Sequence, residues 1–292
     1  MINYLFAVAL LISQITPAVE SAAQKGMLPT FWQPICELSE ELDTKPHKAI
    51  AALQAATKKI ERMHRANLRT QIYATANVGT KEGKAARLAS IYYAGKLQEG
   101  LAQLNTATAQ NSVEGAAAAT YLKGHLDEYL TLWAHVKQDA TEACLLTTGG
   151  GGAAAVAADT LGGVQCKRRL AKPSSSSQNP EAMTQAGFPK LVKAITADAQ
   201  QHSAGKCPLS SGHSANGLGD TGKVSTTFKV LDGYLSIPDS NSPVTVANLE
   251  ALSNNHKPAT QPGTQPGKQT TEQQQQTAVL SATRQATSKI TA

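Results

Sequence analysis

Apolar and polar positions between residues 46 and 146 recur with a helical rather than a strand period. Ile50, Leu53, Thr57, Ile60, His64, Asn67 and Gln71 step alternately by three and four residues, a heptad seam that is apolar in its first half and polar in its second. The spacing predicts one long helix from about Pro46 to Asn77, spanning roughly 48 Å at 1.5 Å per residue. Asn77 to Gly83 supplies a turn, because Gly79 tolerates a left-handed backbone and Thr80 can cap the helix that follows. A second run begins near Lys84, with Leu88, Ile91, Tyr92, Leu97, Leu101 and Leu104 on the side expected to face the first helix. The Ala-rich stretch from Val113 to Thr120 is expected to bend it, after which Leu122, Leu126, Tyr129, Trp133, Val136, Ala140 and Ala143 complete a second seam. Facing seams predict a mainly α fold, an elongated antiparallel two-helix coiled-coil hairpin over about residues 46–146.

Beyond Cys144 the pattern breaks into loops. Gly149 to Gly152, Pro173 to Ser177 and the surroundings of Ser210 to Lys223 are rich in turn residues, so residues 147–252 read as a loop-rich head. Within it, Phe188 to Gln200 fits a short helix. Thr226 to Ile237, β-branched and aromatic around Asp232-Gly233, fits a small hairpin. Residues 253–271 contain a near-repeat of Thr-Gln-Pro-Gly and read as flexible, and residues 272–291 return to helical period.

Composition sharpens this picture in three places. Aromatics are only 4% and charged residues 16% of the 292 residues, which suits long Ala/Leu helices better than an aromatic-rich sandwich. The net charge is +6, but the basic residues are scattered apart from Lys167-Arg168-Arg169, so nucleic acid is not an expected partner. That triplet reads as solubility or as a contact for an anionic partner. Leu5 to Ile12 is an apolar run too short for a membrane span and is followed by Ser21-Ala22-Ala23, so residues 1–22 read as a secretory signal peptide and the domain begins at about residue 23. Secretion then implies that Cys36, Cys144, Cys166 and Cys207 form two disulfides, since no CxxC pair or histidine at ligand spacing points to zinc.

Candidate chemistry is sparse, and no catalytic, cofactor or metal site is expected. Gly217 to Lys223 has the glycine and lysine spacing of a phosphate loop, but Val224 stands where a magnesium-binding hydroxyl belongs and no hydrophobic strand precedes it. The seven histidines show no HExxH pattern; His64 on the first seam and His125 beside the second read as polar residues setting helix register. Asp127 with Glu128, and Glu40 with Glu41, are adjacent carboxylates that point about 100° apart on a helix and read as solvated faces. No Gly-x-Ser-x-Gly elbow occurs, so nucleophilic catalysis has no candidate and the chain reads as a non-enzyme. No Asn-x-Ser/Thr sequon occurs.

The signal peptide, the opening Phe31-Trp32-Gln33-Pro34-Ile35-Cys36-Glu37-Leu38, the Ala-rich hairpin, the spacing of Cys144, Cys166 and Cys207, and the segment Leu231-Asp232-Gly233-Tyr234-Leu235 together resemble a trypanosome variant surface glycoprotein, more narrowly its class A N-terminal domain. The resemblance runs from residue 1 to about residue 252. It implies a homodimer at the outer face of the parasite plasma membrane, a dense coat, and antigenic variation that evades host antibodies. It also implies pairing of Cys36 with Cys166 and of Cys144 with Cys207. The family's cysteine-rich C-terminal domain and its hydrophobic tail for addition of a GPI anchor are expected to lie outside residues 1–292. A different class of function on the same scaffold is a surface receptor for a host-serum ligand, or a protein conferring resistance to a host lytic factor. Saturable, stoichiometric binding of a serum ligand would distinguish these from a coat protein.

Overall fold

The computed structural model describes residues 24–137, 139–148, 154–163, 166–168, 176, 180–184, 187–191, 201–213, 217–218, 224–240 and 242–246. The expected signal peptide, the flexible segment 253–271, the helix over 272–291, Gly149 to Gly152 and most of the expected helix over Phe188 to Gln200 lie outside the described residues. The chain opens with β1 (Lys25–Met27), then α1 (Pro29–Leu42), α2 (Thr44–Ala76) and α3 (Lys81–Gln103). A π-helical turn over Leu104–Thr108 leads into α4 (Ala109–His135). The small strands are β2 (Gln201–Lys206), β3 (Phe228–Val230), β4 (Leu235–Ile237) and β5 (Thr245–Val246).

The rod is therefore longer at its start than the sequence predicts and shorter at its end. Pro29 opens α1 in the first helical turn, where its missing N–H costs nothing. The ladder is interrupted at Asp43 because Pro46 cannot donate to the carbonyl four residues earlier, that of Leu42. Asp43 keeps right-handed dihedrals, so α1 and α2 follow one another with little change of path. At the tip, Gly79 takes φ +87° and the Thr80 hydroxyl accepts the Gly83 N–H at 3.0 Å, the turn and cap the sequence predicts. At the other end, Val136 is extended. Asp139 accepts the N–H groups of Thr141 and Glu142 at 2.7 Å, so Ala140 and Ala143 leave the helix and cannot continue the seam.

The two seams differ from expectation in phase. On α2 beyond Lys48 the covered positions are Ala49, Ala52, Leu53, Ala56, Ile60, Met63, Ala66, Asn67, Thr70 and Ala74. Leu53, Ile60 and Asn67 are shared with the predicted seam, but Ile50, Thr57, His64 and Gln71 are exposed and their place is taken by the residue before each. On α3 the covered side is Gly83, Ala86, Ala89, Ser90, Tyr93, Ala94, Leu97 and Gly100, while Leu88, Ile91, Tyr92 and Leu101 face solvent. Small residues at the seam let the helices approach closely: a Cβ added to Gly100 would stand 3.3 Å from Ile60 Cγ1. The irregularity falls at Leu104–Thr108, not at the Ala-rich stretch 113–120. Continuing the α3 seam in steps of three and four would reach 118, 121 and 125, of which none is fully buried, whereas Ala119, Leu122 and Leu126 of α4 are. One extra residue has to be absorbed between them, which is what a π-helical turn does.

The core sits at the end of the rod remote from the tip. Phe31, Trp32, Ile35, Leu38 and Leu42 of α1 pack against Leu122, Leu126, Leu130 and Trp133 of α4, and Leu231, Tyr234, Leu235, Ile237 and Val244 join the same cluster. The β3-β4-β5 sheet is antiparallel with Val230 opposite Leu235 and Leu235 opposite Val246, so the predicted hairpin gains a third strand.

The phase of the α2 seam has a direct test. Ala49 is 4% exposed and Ile50 is 47% exposed. Ala49→Glu should destabilise by about 2 kcal/mol or more through burial of an unpaired charge, and Ile50→Glu by no more than about 0.5 kcal/mol. Urea unfolding of the two variants checks this.

Candidate functional site

The head is fastened to the rod around β1. Met27 N–H donates to Cys144 O at 2.7 Å and Met27 O accepts from Leu146 N–H at 3.0 Å, while on the other edge β1 pairs antiparallel with β2 and Gln24 O accepts from Cys207 N–H at 2.8 Å. Cys144 and Cys207 are thereby brought to either side of β1, with Cα atoms 4.5 Å apart, and are joined as a disulfide. Gly26 is required here, because a Cβ would lie 2.5 Å from Ala143 O. Trp32 Nε1 donates to Leu146 O at 3.0 Å, tying α1 to the same segment. The second disulfide joins Cys36, on the buried face of α1, to Cys166, with Cα atoms 5.6 Å apart. Bridges separated by 63 and 130 residues each restrict the unfolded chain by roughly 4 to 5 kcal/mol in the entropic account.

A buried polar cluster stands beside this clamp, and the sequence reading missed it. Lys123 Nζ donates to Ser39 Oγ at 2.9 Å and lies 3.2 Å from Asp127 Oδ2 and 3.8 Å from Asp43 Oδ1; the Ser39 hydroxyl donates to Asp127 Oδ1. Glu40 is buried too, accepting the Lys167 N–H at 2.6 Å and pairing with its ammonium at 3.1 Å. The expectation that Glu40, Glu41 and Asp127 form solvated faces is overturned: all three are buried, and only Glu128 faces solvent. Burial raises the pKa of Asp43 above the ordinary carboxylate value, against the pull of Lys123. The missed signal was the seam itself, since Lys123 and Asp127 are one turn apart on the buried side of α4.

The other singled-out residues are used structurally. The Arg168 Nη2 donates to Ala158 O at 2.6 Å and to Asp159 O at 2.9 Å. With Lys167 held by Glu40, two members of the basic triplet are engaged within the chain rather than free for an anionic partner; Arg169 lies outside the described residues. Of the Gly217 to Lys223 stretch only Gly217 and Leu218 are described, with Leu218 N–H donating to Ser211 O at 2.8 Å. His64 is exposed, and His125 packs against Tyr121 with the rings tilted by 58° and their centroids 4.4 Å apart, beside a cavity of about 260 Å³.

The polar cluster yields an energetic prediction. Lys123→Met leaves two buried carboxylates without their cation and should cost about 3 to 5 kcal/mol. Asp43 already holds its proton more tightly folded than unfolded, so its contribution favours the fold at acid pH and is lost as pH rises through the carboxylate range. The variant's deficit in urea unfolding should therefore be smaller at about pH 4.5 than at about pH 7.5; a deficit independent of pH would contradict the pairing.

Comparison with known proteins agrees with this geometry. The family model for trypanosome variant surface glycoprotein (A-type) matches residues 8–290. The chain is 38% identical over 250 residues to variant surface glycoprotein MITAT 1.2 of Trypanosoma brucei brucei, covering 85% of this chain and 52% of that protein. It is 31% identical over 260 residues to variant surface glycoprotein MITAT 1.1 of the same organism, covering 87% and 53%. It thus spans about half the length of the curated relatives it matches. The solved structure of MITat 1.1 superposes with a TM-score of 0.74 at 27% identity, over 91% of this chain and 69% of that one. The disulfide-clamped head, the two-helix rod and these matches together place the chain in the trypanosome variant surface glycoprotein family, A-type.

Proposed function

We propose that the protein is a non-enzymatic coat component at the trypanosome cell surface, standing as a homodimer and presenting variable loops to host antibodies. Residues 1–22 would direct secretion, and a GPI anchor added to sequence outside these residues would hold it on the plasma membrane. The observation that carries this reading is the separation of roles along the molecule. The core, both disulfides and both sheets gather at one end, while the rod beyond them is a narrow two-helix spacer. A spacer of fixed length sets the height and footprint of each molecule in a crowded layer. Loops braced at the head can change sequence without disturbing the seams.

Antibody mapping on living cells tests the reading. Exchange of residues 149–152, 173–178 and 210–223 should abolish binding of most antibodies raised against intact cells, and substitution of Lys58, Lys59 and Gln98 should not. A majority of epitopes on Lys58 to Arg69 would overturn it.

The dimer is supported by the outward face of α3. Leu88, Ile91 and Tyr92 are 70%, 65% and 61% exposed, and one turn on, a Cβ at Gly95 would meet nothing within 4 Å. This is a continuous apolar stripe at spacings of three and four, the pattern a helix shows where it packs on another. Leu88→Glu combined with Ile91→Glu should leave the fold intact and convert the dimer to a monomer at micromolar concentration in sedimentation equilibrium.

A further inference from the structure

The cavity beside His125 has the construction of a ligand site. It lies between the outer face of α4 and the β3–β4 turn, with Tyr121, His125, Tyr129 and Trp133 supplying aromatic walls and Leu231 and Asp232 closing it from the turn. Tyr129 and Trp133 are buried with ring centroids 4.6 Å apart, while Tyr121 and Leu132 are half exposed at the rim. Asp232 and Tyr129, which line this space, each also carry a side-chain oxygen that is buried without a hydrogen-bond partner among the described residues, Asp232 Oδ2 and the Tyr129 hydroxyl. Asp232 is 4% exposed. Its position is enforced by backbone strain, since Leu231 and Asp232 take φ +55° and +54° in succession before Gly233. A leucine in that conformation is uncommon and is retained here by burial of its side chain in the core.

We propose that this cavity binds a small organic ammonium cation, the charged nitrogen against Asp232 and the alkyl portion between Tyr121, Tyr129 and Trp133. A carboxylate in the wall of a largely apolar cavity is costly to ionise, and an ammonium answers it with both charge and N–H groups. Aromatic faces add attraction for the same charge. An anion would meet Asp232 and Glu128, and a neutral apolar guest would leave the carboxylate unsatisfied. Tyr121, His125, Glu128 and Tyr129 of α4 and Lys229 of β3 are the titratable groups around the carboxylate. Lys229 is exposed, and the charge felt by Asp232 comes from His125. Burial pushes the Asp232 carboxyl up to about 6, so it is ionised at neutral pH and protonated in mild acid. The proposal is independent of the coat reading and holds whichever partner the head loops meet.

Isothermal titration of the purified protein with n-butylammonium chloride, with n-butanol as the uncharged analogue, provides the test. One-to-one saturable binding of n-butylammonium and no saturation with n-butanol are expected at neutral pH. Affinity should fall about tenfold between about pH 7 and about pH 5 as the carboxyl takes its proton. Asp232→Asn, which keeps the shape and tolerates the left-handed backbone, should weaken binding by at least about tenfold while leaving the thermal midpoint at neutral pH unchanged or higher. Tyr121→Ala, at the exposed rim and outside the core, should also weaken binding. Equal binding of n-butanol, full affinity in Asp232→Asn, or absence of saturation with n-butylammonium in the unmodified protein would each overturn the proposal.

Discussion

Burial of one face of α1 against the second half of α4 is the contact on which the rest of the molecule depends. Phe31, Trp32, Ile35 and Leu38 meet Leu122, Leu126, Leu130 and Trp133, and full burial of each such side chain stabilises by roughly 1.5 to 3 kcal/mol. The same contact carries the head. Phe31 stacks on Tyr234 with ring centroids 5.9 Å apart, Cys36 projects to Cys166, and Trp32 reaches the carbonyl of Leu146. The α1 and α4 side chains together form the apolar surface on which Leu231, Tyr234, Leu235 and Ile237 rest.

From that anchored end the rod changes character along its length. Near the head the seam is large and apolar. Toward the tip it becomes Ala, Gly, Ser, Asn and Thr, with Asn67 and Ser90 buried between the helices. Such a seam brings the backbones close but buries little apolar area, while Leu88, Ile91 and Tyr92 point outward. A two-helix rod of this composition gains more from a further helical surface than from its own seam, which connects the placement of hydrophobic residues to assembly.

The charged residues that sit inside serve geometry more than stability. Lys123 spans from α4 to Ser39 and Asp43, at the point where Pro46 interrupts the α1–α2 path, and Lys167 seats the segment after Cys166 on Glu40. Ion pairs of this kind repay their desolvation only when every member is in place, so they fix the register of α1 on α4. At Asp232 the same physics runs the other way: a buried carboxyl with an unpartnered oxygen raises the cost of its own ionisation.

The sequence by itself determined the two-helix architecture, the tip at Gly79 and Thr80, the β3–β4 hairpin and the number of disulfides that four cysteines allow, because each rests on local period or turn chemistry. It carried the family through the cysteine spacing and the Phe31 to Leu38 opening. Only the tertiary structure decided the phase of the seams. Ala49 and Ile50 are adjacent, and a hydrophobic count favours Ile50, whereas close approach of two backbones favours Ala49. The one-residue offset between Leu104 and Ala119 was written in the spacing, yet its absorption by a π-helical turn follows from which residues meet α2. The cavity beside Asp232 was invisible for a further reason. It joins residues a hundred positions apart, from α4 and the β3–β4 turn, and no local pattern records which buried polar atoms a fold leaves without a partner.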